Sequence, residues 1–288
     1  MKTETFKYGN WLVEYIPEDG GRIGRLCYKD YDLLTVEPKQ FFPPKKDYGE
    51  YETRPVYGYD DCFPSVESSQ FPDMEWIVPD HGEICWLSWE VEKSPDSLIF
   101  SVNSEKLPVT FKREMKFSEN AIVWNFQIIN HSDKTIPFQH VIHPLMPLDE
   151  IIDFELPNFK TLFDSIAKKE ISELNTPDAV KEYLFSQEVG KTNMFFLREI
   201  EGNELTLKFK NNLNLKMIYP LEHFSSIGVW WNNSAYPDEE GCRRNECAFE
   251  PIPGLTSSIK ESYETNKCQF VLPNKTFTWQ LIWEFSNS

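Results

Sequence analysis

Two residues of the sequence have side chains suited to acid–base chemistry and share an unusual local setting. His143 and Glu250 each directly precede a proline at the end of an apolar stretch. A residue before proline is driven into an extended backbone, and proline cannot donate the next ladder hydrogen bond, so strand pairing tends to stop there. Each side chain would then be held on stiff backbone where a sheet opens, as a pre-positioned acid or base requires. The alternative, favoured by spacing alone, is a histidine at a strand end and a surface glutamate beside a turn.

The stretch from Ile122 to Leu148 must position the histidine. It predicts a strand, a polar turn at 130–133 and a second strand that ends at His143-Pro144. Because side chains alternate across a strand, one face of the second strand should carry His140 and the other His143. At most one of the two should therefore face a given cleft. We expect His140 to be structural.

The composition of the 288-residue chain favours strands and limits the possible partners. Aromatic residues make up 15% of the chain, and they favour strands and carry a large apolar area into a core. The net charge of −17 argues against nucleic acid and against an anionic membrane, because phosphate binding needs clustered Lys and Arg. A neutral ligand is unaffected by that charge. We expect a monomer or a weak homodimer.

Strand patterns recur along the chain at the spacing typical of an all-β, antiparallel sandwich. A helix is predicted after Thr176-Pro177, with Thr176 as its N-cap, and a surface loop between Glu37 and Gly58. The odd-numbered residues of the last strand form an apolar face. Strands are predicted at 11–16, 22–26, 84–91, 98–103, 109–117, 122–129, 194–197, 204–209, 214–219, 226–231 and 276–285. With no repeat or linker, residues 1–288 are expected to form one domain.

The location expected from the sequence is the cytoplasm. Residues 1–11 contain no apolar signal-peptide region, and the chain has no run of 18 apolar residues. The six cysteines are scattered without a Cys-x-x-Cys pair. In a protein that is not exported, they are expected to be reduced thiols rather than disulfides or zinc ligands.

Four segments, in order, resemble the aldose 1-epimerase (galactose mutarotase-like) family over nearly the whole chain. They are Gly20-Gly21-Arg22-Ile23, His81-Gly82, the run from Asn130 to His143-Pro144, and Glu250-Pro251 with Gly254. The sequence departs from the family pattern after Pro144, where Leu145-Met146 replaces an aromatic residue. The family's sugar-binding aspartate between His143 and Glu250 has no clear counterpart.

The resemblance implies a β-supersandwich that binds a free sugar and interconverts its α and β anomers without a cofactor or a metal. Ring opening needs a base for the anomeric hydroxyl proton and an acid for the ring oxygen. Glu250 is the candidate base, since a carboxyl with a pKa of about 4.3 is ionised at neutral pH. His143 is the candidate acid, and nearby carboxylates are expected to favour its imidazolium form.

Five further residues are candidates for contacts with the sugar, and each has a plainer alternative. His81 could bind a hydroxyl or simply lie in a turn. Asp60 and Asp61 could reach hydroxyls or cap a turn. Arg54 could bind hydroxyls or, with Arg22 and Arg25, an anionic group, although scattered surface arginines are the commoner case. Trp230 could offer a face to the sugar's C–H bonds, with Trp231 in the core, or both could be core residues.

Two classes of function therefore remain open from the sequence, and the first has a variant. One is an epimerase acting on a free hexose through Glu250 and His143, and the other is a non-catalytic carbohydrate-binding protein on the same fold. The variant is an epimerase for a hexose 6-phosphate, which would need several arginines that converge on the phosphate.

Overall fold

Antiparallel strands are the main secondary structure of the protein, which is described by a computed structural model over residues 1–41 and 49–287. The strands are β1 (Glu4–Tyr8), β2 (Trp11–Ile16), β3 (Arg22–Tyr28), β4 (Tyr31–Asp32), β5 (Tyr59–Cys62), β6 (Ser69–Gln70), β7 (Ile77–Val78), β8 (Glu90–Lys93), β9 (Ser97–Asn103), β10 (Val109–Phe117), β11 (Ala121–Asn130), β12 (Ile136–Phe138), β13 (Val141–Pro144), β14 (Met146–Pro147), β15 (Ile151–Glu155), β16 (Thr161–Asp164), β17 (Lys169–Glu170), β18 (Lys191–Arg198), β19 (Glu204–Phe209), β20 (Leu213–Ile218), β21 (Ser226–Asn233), β22 (Asn245–Ile252), β23 (Gln269–Val271) and β24 (Thr276–Asn287). The helices are α1 (Pro177–Phe185), α2 (Ile259–Glu264) and the 3₁₀ turns Tyr51–Thr53, Ile84–Trp86 and Leu148–Glu150.

The strands form three main sheets. An eight-stranded sheet has the order β15-β19-β20-β24-β11-β10-β9-β8. One six-stranded sheet runs β1-β2-β3-β5-β13 with β4 beside β3, and a second runs β14-β22-β21-β18-β16-β17. The chain passes from the first to the second of these sheets within a few residues, since β13 pairs with β5 and β14 pairs with β22. The two six-stranded sheets therefore meet where β13 ends.

The main core lies between the eight-stranded sheet and the two six-stranded sheets. The eight-stranded sheet contributes the even-numbered residues of β11 and the odd-numbered residues of β24, among them Trp124 and Trp283. Trp124 stacks on Tyr59 of β5 at 4.9 Å between ring centroids. Phe154 of β15 contacts Phe249 of β22 at 5.2 Å. Aromatic contacts thus join the eight-stranded sheet to both six-stranded sheets.

The predicted all-β, antiparallel class is confirmed, and so are most of the predicted elements. The strands at 11–16, 98–103, 109–117, 204–209 and 276–285 lie where the alternation placed them. Helix α1 begins at Pro177, and its N-cap Thr176 accepts a hydrogen bond from the Ala179 amide at 3.2 Å. Within the described ranges, no helix is both long and apolar enough to cross a membrane.

The predicted strand at 84–91 is wrong. A 3₁₀ turn forms at Ile84–Trp86, and a strand begins only at Glu90. The Glu83 carboxylate, just before this turn, accepts hydrogen bonds from the amides of Glu105 and Lys106. These distant partners, which a local pattern does not reveal, fix the segment as a turn.

The expected surface loop at 37–58 is only partly a loop. Residues 42–48 of this segment lie outside the described residues. Tyr51 and Val56 are buried at 1% and 4% exposure. The end of this segment therefore packs into the protein and covers part of the site described below.

Gly20 occupies a backbone position that no other residue fits. It has φ +67°, and a Cβ added there would lie 2.2 Å from the Cys85 carbonyl oxygen. We predict that Gly20→Ala lowers the free energy of unfolding by more than about 1 kcal/mol, because the clash adds to the cost of the left-handed backbone. Gly9→Ala is the control, since Gly9 has φ +52° and open space around it. Urea unfolding measures both variants, and equal losses would contradict the clash.

Candidate functional site

A cavity of about 540 Å³ opens where the two six-stranded sheets meet. One wall is the face of β18, β21 and β22 that points away from the main core, and the other is built by β13 and the segment around Tyr51. Its lining residues include Tyr51, Glu52, Glu67, Asp80, His81, His143, Leu145, Thr192, Met194, Phe196, Trp230, Tyr236, Arg244, Glu246, Glu250 and Ile252. The size lies within the range of pockets that bind small molecules.

Strand alternation directs Glu250 into the cavity. Along β22, Phe249 faces the main core, so Glu250 and Ile252 face the other side. Gly228 of β21 lies directly opposite Glu250 in the ladder. A Cβ at Gly228 would approach the Glu250 Oε2 atom to 3.1 Å and the Ile252 side chain to 2.9 Å. The missing side chain at Gly228 therefore leaves room for the carboxyl group.

His143 meets Glu250 in the wall of the cavity. The His143 Nε2 atom lies 3.5 Å from the Glu250 Oε1 atom, and both residues are buried. His143 comes from β13 and Glu250 from β22, so the pair bridges the two six-stranded sheets. The His143 Nδ1 atom has no hydrogen-bond partner among the described residues. The structure thus brings together the two residues that the sequence offered as an acid–base pair.

Burial shifts both members of this pair toward their neutral forms. Removal from water raises the pKa of Glu250 to about 8. Burial, reinforced by the nearby His81, lowers the pKa of His143 to about 3. These directions are opposite to the expected ionised Glu250 and protonated His143. The nearby carboxylates do not outweigh the loss of water around the imidazole.

His81 lines the cavity beside His143. Its ring stacks on the Tyr51 ring at 3.8 Å between centroids and meets the His143 ring edge-on at 4.9 Å. The Nδ1 atom lies 3.0 Å from the Asp80 carboxylate. His81 has φ +62° and precedes Gly82, so its half-buried ring is held by a tight, left-handed turn.

Asp60 and Arg54 lie behind the cavity and do not line it. Asp60 accepts a hydrogen bond from the Tyr51 hydroxyl at 2.5 Å and pairs with Arg54 at 3.1 Å and Arg22 at 3.0 Å. Arg54 also donates to the Cys85 carbonyl. The expected hydroxyl contacts of Asp60 and Arg54 are therefore replaced by a buried ion network that supports Tyr51.

The three arginines proposed as an anion site do not converge. Arg22 is fully buried, whereas Arg25 pairs with Asp32 on the surface at 2.6 Å. Arg54 is committed to the Asp60 network. Arg22 and Arg54 share the carboxylates of Asp60 and Asp19, and Arg25 pairs with Asp32 elsewhere. The three guanidinium groups are therefore paired within the protein and do not form a common anion site.

Asp61 lies on the opposite side of β5, inside the main core. It is fully buried, pairs with Arg113 and lies 2.9 Å from the His140 Nε2 atom. Burial raises the pKa of Asp61, but the Arg113 charge and the bond with His140 outweigh it, and the pKa is lowered overall. The expected sugar contact of Asp61 is thus replaced by a structural role. His140 is a structural residue, as expected.

The two neighbouring tryptophans divide as one of the sequence alternatives proposed. Trp230 lines the cavity and donates a hydrogen bond to the Glu246 Oε1 atom at 3.2 Å. Trp231 is buried in the main core against Phe154. Trp230 therefore presents part of its ring to the cavity.

Tyr51, Glu52, Arg244 and Glu246 are among the lining residues that the sequence reasoning missed. Tyr51 and Glu52 come from the segment expected to be a surface loop, and Arg244 lies in a segment without a strand pattern. Glu246 could have been found, because it lies four residues before Glu250 on one strand and alternation places both on the same face. The other three have no comparable signal in the sequence.

Comparison with solved structures gives the fold, although no protein-family model and no curated protein sequence matches the chain. The Slr1438 protein from Synechocystis sp. PCC 6803 superposes with a TM-score of 0.74 at 14% identity, covering 100% of this chain and 96% of that one. A protein from Escherichia coli K12, described provisionally as an aldose 1-epimerase, gives 0.74 at 13% identity, with 100% and 99% covered. A galactose mutarotase related enzyme from Lactobacillus acidophilus gives 0.69 at 16% identity, with 99% and 98% covered.

These similarities establish the fold alone, since each identity is well below 25%. The chain has the galactose mutarotase-like β-sandwich that the resemblance of its sequence implied.

The Asp61 network generates a stability prediction. Arg113→Met should lower the free energy of unfolding by about 3–5 kcal/mol, because it leaves the fully buried Asp61 without its arginine. Arg25→Met should cost less than about 1 kcal/mol, since its pair with Asp32 is solvent-exposed. Urea unfolding of the two variants measures the difference. Similar losses would show that the Asp61 pair contributes no more than a surface pair.

Proposed function

We propose that the protein is a cofactor-independent aldose 1-epimerase that interconverts the α and β anomers of a free sugar. The observation that supports this most directly is the pair His143 and Glu250, which lie 3.5 Å apart and line a cavity of about 540 Å³. The anomeric hydroxyl and the ring oxygen are bonded to one carbon atom. An acid and a base that act on these two oxygens must therefore lie close together, as His143 and Glu250 do.

At neutral pH, one titratable proton is available to the Glu250 carboxyl group and the His143 Nε2 atom. With the pKa of Glu250 raised to about 8 and that of His143 lowered to about 3, the proton resides on the carboxyl group. Glu250 donates this proton to the ring oxygen while His143 Nε2 accepts the proton of the anomeric hydroxyl. The bond between the anomeric carbon and the ring oxygen breaks, and the anomeric carbon becomes the carbonyl of an open-chain aldehyde.

Ring closure reverses both transfers. The bond between the carbonyl carbon and its neighbouring carbon first rotates. The hydroxyl group formed from the former ring oxygen then attacks the opposite face of the aldehyde and returns its proton to Glu250. His143 gives its proton back to the carbonyl oxygen, which becomes the anomeric hydroxyl of the other anomer. Ionised Glu250 with protonated His143 contains the same total number of protons as the neutral pair, so the two arrangements are microstates that the pair exchanges during the reaction.

The charges of the cavity favour a free sugar over a hexose 6-phosphate. Among the described lining residues, Arg244 alone carries a guanidinium or ammonium group. Its Nη1 and Nη2 atoms donate to Glu52 at 2.7 and 2.8 Å, and its Nε atom donates to Glu246 at 2.8 Å. Recognition of a phosphate needs several donors that converge on it. The N–H donors of Arg244 are already bound to the carboxylates of Glu52 and Glu246, so they are not free for a phosphate.

We predict that the purified protein speeds the equilibration of freshly dissolved α-hexose. Glu250→Gln should remove the acceleration, because the amide cannot exchange the proton, while sugar binding persists. Anomer-resolved NMR over a panel of hexoses measures the rate, and NMR titration measures binding. Binding without acceleration by the unmodified protein would favour a non-catalytic carbohydrate-binding protein. Faster equilibration of hexose 6-phosphates than of free hexoses would favour the phosphosugar variant.

We further predict a pH profile set by the single proton of the pair. The catalysed kcat/KM should stay level from about pH 5 to about pH 7 and fall above about pH 8, as Glu250 loses its proton. The acid limb should lie near about pH 3, where His143 gains a second proton for the pair. Subtraction of the uncatalysed rate at each pH gives the catalysed kcat/KM. A limb near the ordinary pKa values, about 4.3 for Glu or 6.5 for His, would contradict the proposed protonation state.

A further inference from the structure

We propose that the preferred substrate is a 6-deoxyhexose, whose methyl group packs on an apolar wall beside Glu250. This inference rests on the proposed function and names the class of sugar for the same site. The apolar wall consists of Val66, Met194, Phe196 and Ile252, which all line the cavity. These residues belong to an apolar cluster separate from the main core. An apolar wall next to the acid–base pair indicates a part of the sugar without a hydroxyl group.

Strand pairing places the apolar wall directly beside Glu250. Gly228 of β21 pairs with Phe196 on one side and with Glu250 on the other, so the three residues form one row across the sheet. A Cβ added at Gly228 would lie 3.1 Å from the Glu250 Oε2 atom and 3.1 Å from the Met194 methyl carbon. Only the empty position of the missing side chain therefore separates the Met194 methyl group from the carboxyl group.

The apolar wall is open to the cavity through Met194 and Val66. Phe195 of β18 packs into the main core, so Met194, its neighbour on the strand, faces the cavity. The side chains of Met194 and Val66 are half-buried, whereas Phe196 and Ile252 are buried and pack behind them. A ligand in the cavity therefore meets the side chains of Met194 and Val66.

The proposed proton transfers determine which carbon of the sugar meets this wall. The Glu250 Oε1 atom faces His143, which accepts the proton of the anomeric hydroxyl, whereas Oε2 faces Met194. In a pyranose, the ring oxygen that Glu250 protonates is bonded to the anomeric carbon and to carbon 5. The exocyclic carbon on carbon 5 then lies within about 5 Å of the carboxyl oxygen that donates the proton. This exocyclic carbon is the group that reaches the Met194 side of the carboxyl.

A methyl group fits this wall better than a hydroxymethyl group. The thioether of Met194 cannot donate a hydrogen bond and is only a weak acceptor. Two hydroxyl groups that line the cavity already donate within the protein, Thr192 to Asn232 at 3.1 Å and Ser257 to Glu67 at 3.3 Å. A hydroxyl on the exocyclic carbon would lose its hydrogen bonds to water on entering this subsite. A carboxylate at the same carbon would lose still more.

The test uses sugars that share their ring stereochemistry and differ only in the substituent on carbon 5. In the glucose configuration these are xylose, 6-deoxyglucose, glucose and glucuronic acid, and the matching galactose series is run beside it. Anomer-resolved NMR gives kcat/KM after subtraction of the uncatalysed rate. In the series that is equilibrated faster, the 6-deoxyhexose should exceed the hexose by about 10-fold, because no hydroxyl is buried without a partner. It should exceed the pentose by about 4-fold, because the methyl group adds apolar contact.

Met194→Gln tests the wall itself, because it replaces an apolar side chain with a polar one of similar length. The ratio of kcat/KM for the 6-deoxyhexose to that for the hexose should fall toward 1, since the amide can pair with the hydroxyl. Met194→Leu keeps an apolar surface of similar volume and should keep the ratio. Met74→Gln is the matched control at an exposed position outside the cavity, and it should leave the ratio unchanged. Thermal melting checks that each variant is folded.

Equal kcat/KM values for the 6-deoxyhexose and the hexose in the unmodified protein would overturn the apolar subsite while leaving the epimerase proposal intact. A preference that persists in Met194→Gln would overturn it as well. If the unmodified protein equilibrates none of the sugars, the epimerase proposal fails, and NMR titration of the same series gives dissociation constants instead. Tighter binding of the 6-deoxyhexose that is lost in Met194→Gln would still support the subsite, and equal binding would reject it.

Discussion

Two adjacent buried carboxylates, Asp60 and Asp61, fix the part of the fold on which the site depends. Strand alternation sends them to opposite sides of β5, and each buried charge needs its own partners. Asp61 pairs with Arg113 in the core, whereas Asp60 pairs with Arg22 and Arg54 behind the cavity. Strand β5 is thereby held from both sides. Because β13 pairs with β5, this arrangement also fixes where His143 can point.

The cavity exists because part of a sheet is covered on both faces. On β22, Phe249 packs into the apolar main core, whereas its neighbour Glu250 faces the cavity. Burial of the second face removes water from His143 and Glu250. The packing that brings the pair within 3.5 Å therefore also raises the pKa of Glu250 and lowers the pKa of His143, which favours the neutral form of each. Burial is thus the common cause of the short distance between His143 and Glu250 and of their shifted pKa values.

Much of the fold could be predicted because strand alternation is a local property. The long strands β10, β11 and β24 and the capped helix α1 were found from their own residues. The turn at Ile84–Trp86 could not be, since distant amide groups bind Glu83 beside it. Arg54 looked like a free cation in the sequence, because neither its pairing with the nearby Asp60 nor its bond to the distant Cys85 carbonyl follows from a strand or helix pattern.

The sequence by itself determined the all-β class, the separation of His140 from His143, and the candidate pair His143 and Glu250, because alternation and proline act within a few residues. Only the tertiary structure decided which carboxylates line the cavity and which are neutralised by arginines. Burial in the folded protein also favours the neutral form of both members of the pair over the expected charged forms. Burial and ion pairing depend on groups far apart in the chain: His143 and Glu250 come from two sheets that meet only in the folded protein.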